Sequence, residues 1–321
     1  MGKERQATLV GPVMVLRTFR TDDGRLDLDK QRRHLRWLID QGITTGNGVL
    51  MGAGGASEGA FMREHEWKAI VELTAEECKG RVASMAGIFS LSTDDAIERA
   101  RFLEQVGIDF VQLPPPHYMS PRPDEVFGYY RAVSDVADVG ILPYNSTWAM
   151  PAPAFELDVA MFERLVELEH IEGASWGSDN LSVYISVARR FSGELGFINN
   201  IPLALSIPIK LGMTGFFQPE GNVAPRLVLH MWDMWKHRRY DEFDQFMLET
   251  FVDSAFKFRG KTAARWASVG EGPHARAVME TMGLKMGPPF PPQIGVSEEG
   301  LDKYREEYEA SGLEKWVDWE E

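Results

Sequence analysis

A phenol hydroxyl can pass a proton, a guanidinium can hold a carboxylate, and an amide can polarise a carbonyl or a water. The sequence offers these groups at the ends of short apolar runs: Tyr144 and Asn145 close "GILPYN", His117 and Tyr118 follow "FVQLPP", and Arg17 follows "LVGPVMVL". Ser175 and Trp176 lie in "IEGASWGSD", Asn199 and Asn200 close "LGFINN", Gln218 and Glu220 follow "GFF", and Gly55, Ala56 and Glu58 lie in "GAGGASE". Tyr144 is a candidate acid/base group and Arg17 a candidate carboxylate holder. Asn145, Asn199 or Gln218 would polarise a carbonyl or water. Ser175 lacks a GxSxG elbow, so it creates room or donates one hydrogen bond instead of acting as a nucleophile. His117, Glu58, Glu220 and Asp179 show no HxH, HxxxH or DxD spacing, and no metal or other cofactor is expected.

These residues are useful only if one scaffold gathers them. Eight apolar runs, Leu9 to Leu16, Gly46 to Gly52, Arg81 to Phe89, Phe110 to Pro115, Gly140 to Asn145, Ile171 to Gly177, Leu195 to Asn200 and Gly215 to Pro219, alternate with amphipathic stretches of helical length. That alternation predicts β/α units and a parallel sheet, and eight of them predict a TIM (β/α)8 barrel, an α/β fold whose chemistry sits on the loops after the strands. Thr93 and Asp94 are predicted helix N-caps, and Gly42 and Gly107 predicted helix stops. After Val223 the strand signals end. The predicted division is a barrel over residues 1–235 and a C-terminal helical region over 236–321, with a Pro-rich turn "GPPFPPQ" and a last acidic helix near "SEEGLDKYREEYEASG".

Composition narrows the partners. A net charge of −14 argues against nucleic acid and against an anionic membrane, both of which attract basic patches, so a small-molecule substrate is expected. The single cysteine, Cys78, cannot form an internal disulfide, and no window approaches the ~20 apolar residues of a membrane helix. "MGKERQATLV" has no apolar signal core, and Gln6 stands where a myristoylation signal has Ser or Thr; a cytoplasmic protein is the expectation.

Several motifs, in order, resemble the dihydrodipicolinate synthase and N-acetylneuraminate lyase family between about Leu9 and Phe290. "GPVMVLRTF" precedes "DGRLD", "GGASEGAFMREHE" stands for the family's GTTGE motif, and "PPPHYMSP" stands for its PYY segment. "LPYN" stands for its YN motif, and "LGMTGFFQPEGNVAP" for its glycine-rich eighth strand. The resemblance implies a lysine at the end of strand six that forms a Schiff base with a 2-oxo acid. It also implies a relay tyrosine on strand five, matched by Tyr144, and an assisting tyrosine from a neighbouring subunit, matched by Tyr118. A homo-oligomer, dimer or tetramer, follows from that second tyrosine.

The sequence departs from the pattern where the chemistry would be. Ser175 falls at the lysine position with Trp176 beside it, Gly55 and Ala56 replace the paired threonines that help hold the carboxylate, and Arg17 replaces a small residue of the TPF segment. The arginine that follows the YN motif in dihydrodipicolinate synthases falls near Trp148 and Ala149. Lys210, Lys257 and Lys261 read as surface or structural. The expectation is therefore a lyase-like enzyme, aldolase or hydratase, without an imine. Trp148, Trp176, Phe61 and Phe89 would give it an aromatic mouth suited to an aromatic carboxylate or oxo acid. Two alternatives stand beside it: a non-catalytic small-molecule-binding or inactive paralogue, and a dihydrodipicolinate synthase with a relocated lysine.

Overall fold

The computed structural model describes residues 2–151, 153–201, 204–252 and 271–320. Eight parallel strands close into one barrel in sequential order: β1 (Gly11–Val15), β2 (Val49–Gly52), β3 (Ala83–Gly87), β4 (Phe110–Leu113), β5 (Gly140–Asn145), β6 (Gly173–Trp176), β7 (Gly196–Asn199) and β8 (Gly215–Phe217). Each predicted run contains one of them. Around the barrel lie α1 (Gly2–Gln6), α2 (Leu28–Asp40), α3 (Glu64–Cys78), α4 (Thr93–Val106), α5 (Pro123–Ser134) and α6 (Val159–Leu165). They are followed by α7 (Leu181–Phe191), α8 (Ile207–Lys210), α9 (Pro225–Lys236), α10 (Tyr240–Met247), α11 (Glu271–Thr281) and α12 (Glu298–Ser311).

Strand residues alternate between two apolar environments, because successive side chains of a strand point to opposite faces. Val13, Val49, Met51, Ala83, Met85, Phe110, Leu142, Ile198 and Phe217 fill the barrel interior. Their alternates, among them Ala86, Val111, Leu113, Ile141, Ala174, Trp176, Phe197 and Phe216, join the core between sheet and helices. This parity decides which candidate side chains can see the barrel mouth.

Helix ends follow local chemistry, with one correction. Asp27 caps α2 by accepting from Lys30 N at 2.9 Å, and Asp158 caps α6 by accepting from Met161 N at 2.9 Å. For α4 the cap is Ser92, whose Oγ accepts from Asp95 N; Thr93 and Asp94 lie inside the first turn. The cap sits one residue earlier than predicted because Ser92 has extended backbone, which aims its side chain at the open N–H groups. Gly107 ends α4 in the left-handed region at φ +84°, as its position predicts.

The helices after α9 are not loosely appended. Phe290 and Leu313 share the sheet–helix core, and Trp319 packs edge-on to His34 and Trp37 of α2. Arg276 of α11 reaches Thr18 O, Met286 O and Gly287 O as well as Glu58, joining the C-terminal segment to the loops after β1 and β2.

Candidate active site

The loop after β2 is fixed from several sides. Gly59 is required there, since a Cβ would stand 2.0 Å from Ala53 O. Ser57 Oγ donates to Leu16 O, and Thr18 Oγ1 donates to Ser57 O at 2.8 Å. Glu58, in the left-handed region, accepts from Arg276 Nε at 2.7 Å and from Phe290 N at 3.2 Å. A carboxylate so engaged orders the loop. Arg17 is 1 % exposed and donates Nη1 to Ala56 O at 2.8 Å, so the structure brings Arg17, Gly55 and Ala56 together beneath this loop.

His34 of α2 lies close to this end of the barrel. It is fully buried, Nε2 meets Asn222 O at 2.7 Å, and burial pushes its pKa down to about 4. The Asn222 contact opposes that shift, and the positive charge of Arg17 adds to it.

Tyr144 and Ser175 are register partners on β5 and β6, both on the inward face. Tyr144 Oη accepts from Asn200 Nδ2 at 3.2 Å, and a side chain at Gly177 would come within 3.1 Å of that oxygen. Glycine at 177 thus leaves room for the phenol. Ser175 Oγ accepts from Gln112 Nε2 of β4 at 2.8 Å. Gln112 was not among the residues picked from sequence. Its signal was available, since Gln112 is the polar residue of an otherwise apolar strand and shares the parity of Phe110.

Asn145, Trp176 and Asn199 face the other way, and their expected contact with substrate is corrected accordingly. Asn145 Oδ1 accepts from Leu157 N at 3.1 Å. Trp176 packs among Phe162, Tyr184 and Phe197 in the helix layer. Asn199 Oδ1 accepts from Tyr184 Oη at 2.8 Å, and its amide donates to Ile201 O. The reason is strand parity: each is next in sequence to an inward-facing residue. Asn200, one residue beyond Asn199, reaches the mouth instead.

Gln218 Nε2 donates to Glu220 Oε2 at 2.5 Å, and both are buried in the loop after β8. His117 is half-buried, and burial holds its pKa below the ordinary value. Tyr118, next to it, is 84 % exposed. The aromatic mouth is reduced: Trp176 belongs to the helix layer and Phe61 is exposed, while the side chain of Trp148 lies outside the described set. Lys210 is exposed, with Nζ over the Tyr240 ring, and Lys257 and Lys261 lie outside the described residues. None of the eight strands carries a lysine. Among the described residues, no group of three or more His, Cys, Asp or Glu could hold a metal ion, and no helix is long and apolar enough to cross a membrane.

The profile of the dihydrodipicolinate synthetase family matches residues 10–310. The chain belongs to that family. The 4-hydroxy-tetrahydrodipicolinate synthase of Acidiphilium cryptum is 28% identical over 226 residues, covering 70% of this chain and 75% of that one. Among solved structures, the dihydrodipicolinate synthase of Aquifex aeolicus superposes with a TM-score of 0.81 at 18% identity, covering 97% of this chain and 100% of that one. A catalytic lysine mutant of the sialic acid aldolase of Ruminococcus gnavus superposes with a TM-score of 0.80 at 15% identity, covering 96% and 97%. Dihydrodipicolinate synthetase family membership thus agrees with the lyase-type aldolase fold.

Proposed function

We propose that this chain is a carbon–carbon or carbon–oxygen lyase, of aldolase or hydratase type, that acts on a small carboxylate or oxo acid without a lysine imine. The observation that carries the reading is the β6 position opposite Tyr144: it is Ser175, and no strand supplies a lysine in its place. The sialic acid aldolase that shares this fold is described as having a catalytic lysine. A hydroxyl cannot form an imine with a carbonyl, which supports a reading in which activation is non-covalent.

In this reading Tyr144 moves the proton. The Asn200 amide donates to its oxygen, which stabilises the negative charge that forms there when the phenol gives up its proton. Arg17 supplies positive charge from beneath the Gly55–Ala56 turn and biases the mouth toward an anion; its influence on His34 is in keeping with that role. His117 is held neutral near pH 7 by burial and is available as a proton acceptor. The exposed Phe61, Leu91, Tyr118 and Met119 lie on three successive strand-to-helix loops, after β2, β3 and β4. A second copy of the chain is the proposed cover for them, which makes the enzyme at least a dimer and brings Tyr118 toward a neighbouring site.

The test is turnover of a panel of aromatic hydroxy acids, oxo acids and their aldol adducts. Cleavage or dehydration that Tyr144→Phe abolishes is expected. Binding without turnover across the panel would favour a second reading, a non-catalytic binder, to which the missing strand lysine also points.

A further inference from the structure

The interior of the barrel is apolar, yet Gln112 and Ser175 place an amide and a hydroxyl within it, bonded to each other across β5. Ser175 has no exposure, whereas Gln112 keeps 4 %. The two are therefore not equivalent: Ser175 is enclosed, and Gln112 is the member of the pair that keeps accessible surface. The amide nitrogen of Gln112 is committed to Ser175 Oγ, so its carbonyl oxygen, Oε1, is turned away from the serine. Among the described residues no donor meets that oxygen. The oxygen is not among the fully buried atoms without a partner, so it keeps accessible surface, and the hydroxyl of a bound molecule can take the place of water there.

We propose that Gln112 reads a hydroxyl of the substrate by accepting its hydrogen bond, and that Ser175 is the positioning residue that fixes the amide for this. The inference rests on the hydroxy- or oxo-acid reading above and narrows it: the molecule held at this site is a hydroxy carboxylate. A keto oxygen presents only lone pairs to Oε1 and is disfavoured. The serine thereby has a use that no imine chemistry requires.

Mandelate and benzoylformate form a matched probe pair, since they share a phenyl ring and a carboxylate and differ at the hydroxyl. Calorimetric titration of the full chain should show one mandelate enantiomer binding at least about tenfold more tightly than benzoylformate, the scale of one buried hydrogen bond made or lost. Gln112→Leu should bring the two affinities within about twofold. If that variant does not fold, Gln112→Met, which keeps the length and loses the acceptor, decides the question. Ser175→Ala should shrink the preference and Ser175→Thr, which retains a hydroxyl, should restore it; a merely structural serine would move both affinities together. Equal affinities in the wild type, a benzoylformate preference, or a mandelate preference that survives loss of the Gln112 amide would overturn the inference. Failure of the wild type to bind either probe would remove the hydroxy- or oxo-acid reading along with it, whereas binding without preference would remove this inference alone.

Discussion

Arg276 and Glu58 are 218 residues apart in sequence and form a buried ion pair, Nε donating to Oε2 at 2.7 Å with side chains 5 % and 1 % exposed. The remaining Arg276 donors meet the carbonyls of Thr18, Met286 and Gly287, so the pair ties the C-terminal segment to the first two strand-to-helix loops. Removing one partner strands a buried charge. Arg276→Met should lower stability by about 3–5 kcal/mol and expose the segment after residue 271 to protease, as urea denaturation and limited proteolysis would show. Wild-type stability in this variant would mean that the segment is held by its apolar contacts alone.

The fully buried His34 predicts an acid-sensitive fold. Its native pKa of about 4 lies below the ordinary 6.5, so between these values the unfolded chain binds the proton and the native chain does not. Stability therefore falls as pH drops through that window, by up to ~3 kcal/mol at pH 4 from this group. The loss should be blunted in His34→Gln, which cannot titrate. Parallel pH–stability curves for the two proteins would argue that His34 does not govern the transition.

Trp176 should behave as a packing residue. It lies among Phe162, Tyr184 and Phe197, so Trp176→Ala is expected to cost about 3–5 kcal/mol of stability. The milder Trp176→Phe should leave KM within about twofold, given that no substrate contact is lost. A tenfold rise in KM for Trp176→Phe, without loss of stability, would place the indole at the mouth after all.

What the sequence made legible, and what it did not, separates along the same line. The eight runs were readable because each is short, apolar and bounded by turn residues, and their number alone implied closure. Reading a strand-end segment as a pair, Tyr144–Asn145 or Ser175–Trp176, ignored the alternation that sends one member inward and the next into the helix layer. Applied to "GASW", that alternation picks Ser175 over Trp176; applied to "FVQL", it picks Gln112. The Arg276–Glu58 pair had no local signal, because only tertiary folding brings α11 onto the loop after β2. Sequence spacing likewise could not show that Gln218 and Glu220 bond to each other.

Tyr144→Phe should reduce turnover of an accepted substrate by ~10²-fold or more, the scale of a positioned acid/base group. Ser175→Ala should cost less, since it disturbs the placement of Gln112 and removes no proton carrier. Comparison of kcat for the two variants checks the order, and equal losses would make the serine catalytic. Ser175→Lys should not yield a pyruvate aldolase: Gly55 and Ala56 offer no side-chain hydroxyl to a carboxylate, and Gln112 occupies the space beside the new amine.

The most direct measurement is reductive trapping. Incubation of the full chain with pyruvate and borohydride, followed by intact-mass spectrometry, should leave the mass unchanged under conditions in which a lysine-bearing aldolase gains a stable pyruvate adduct. An unchanged mass together with Tyr144-dependent turnover of a hydroxy or oxo acid is the expected result. A trapped adduct, on Lys257, Lys261 or any other lysine, would contradict lyase chemistry without an imine.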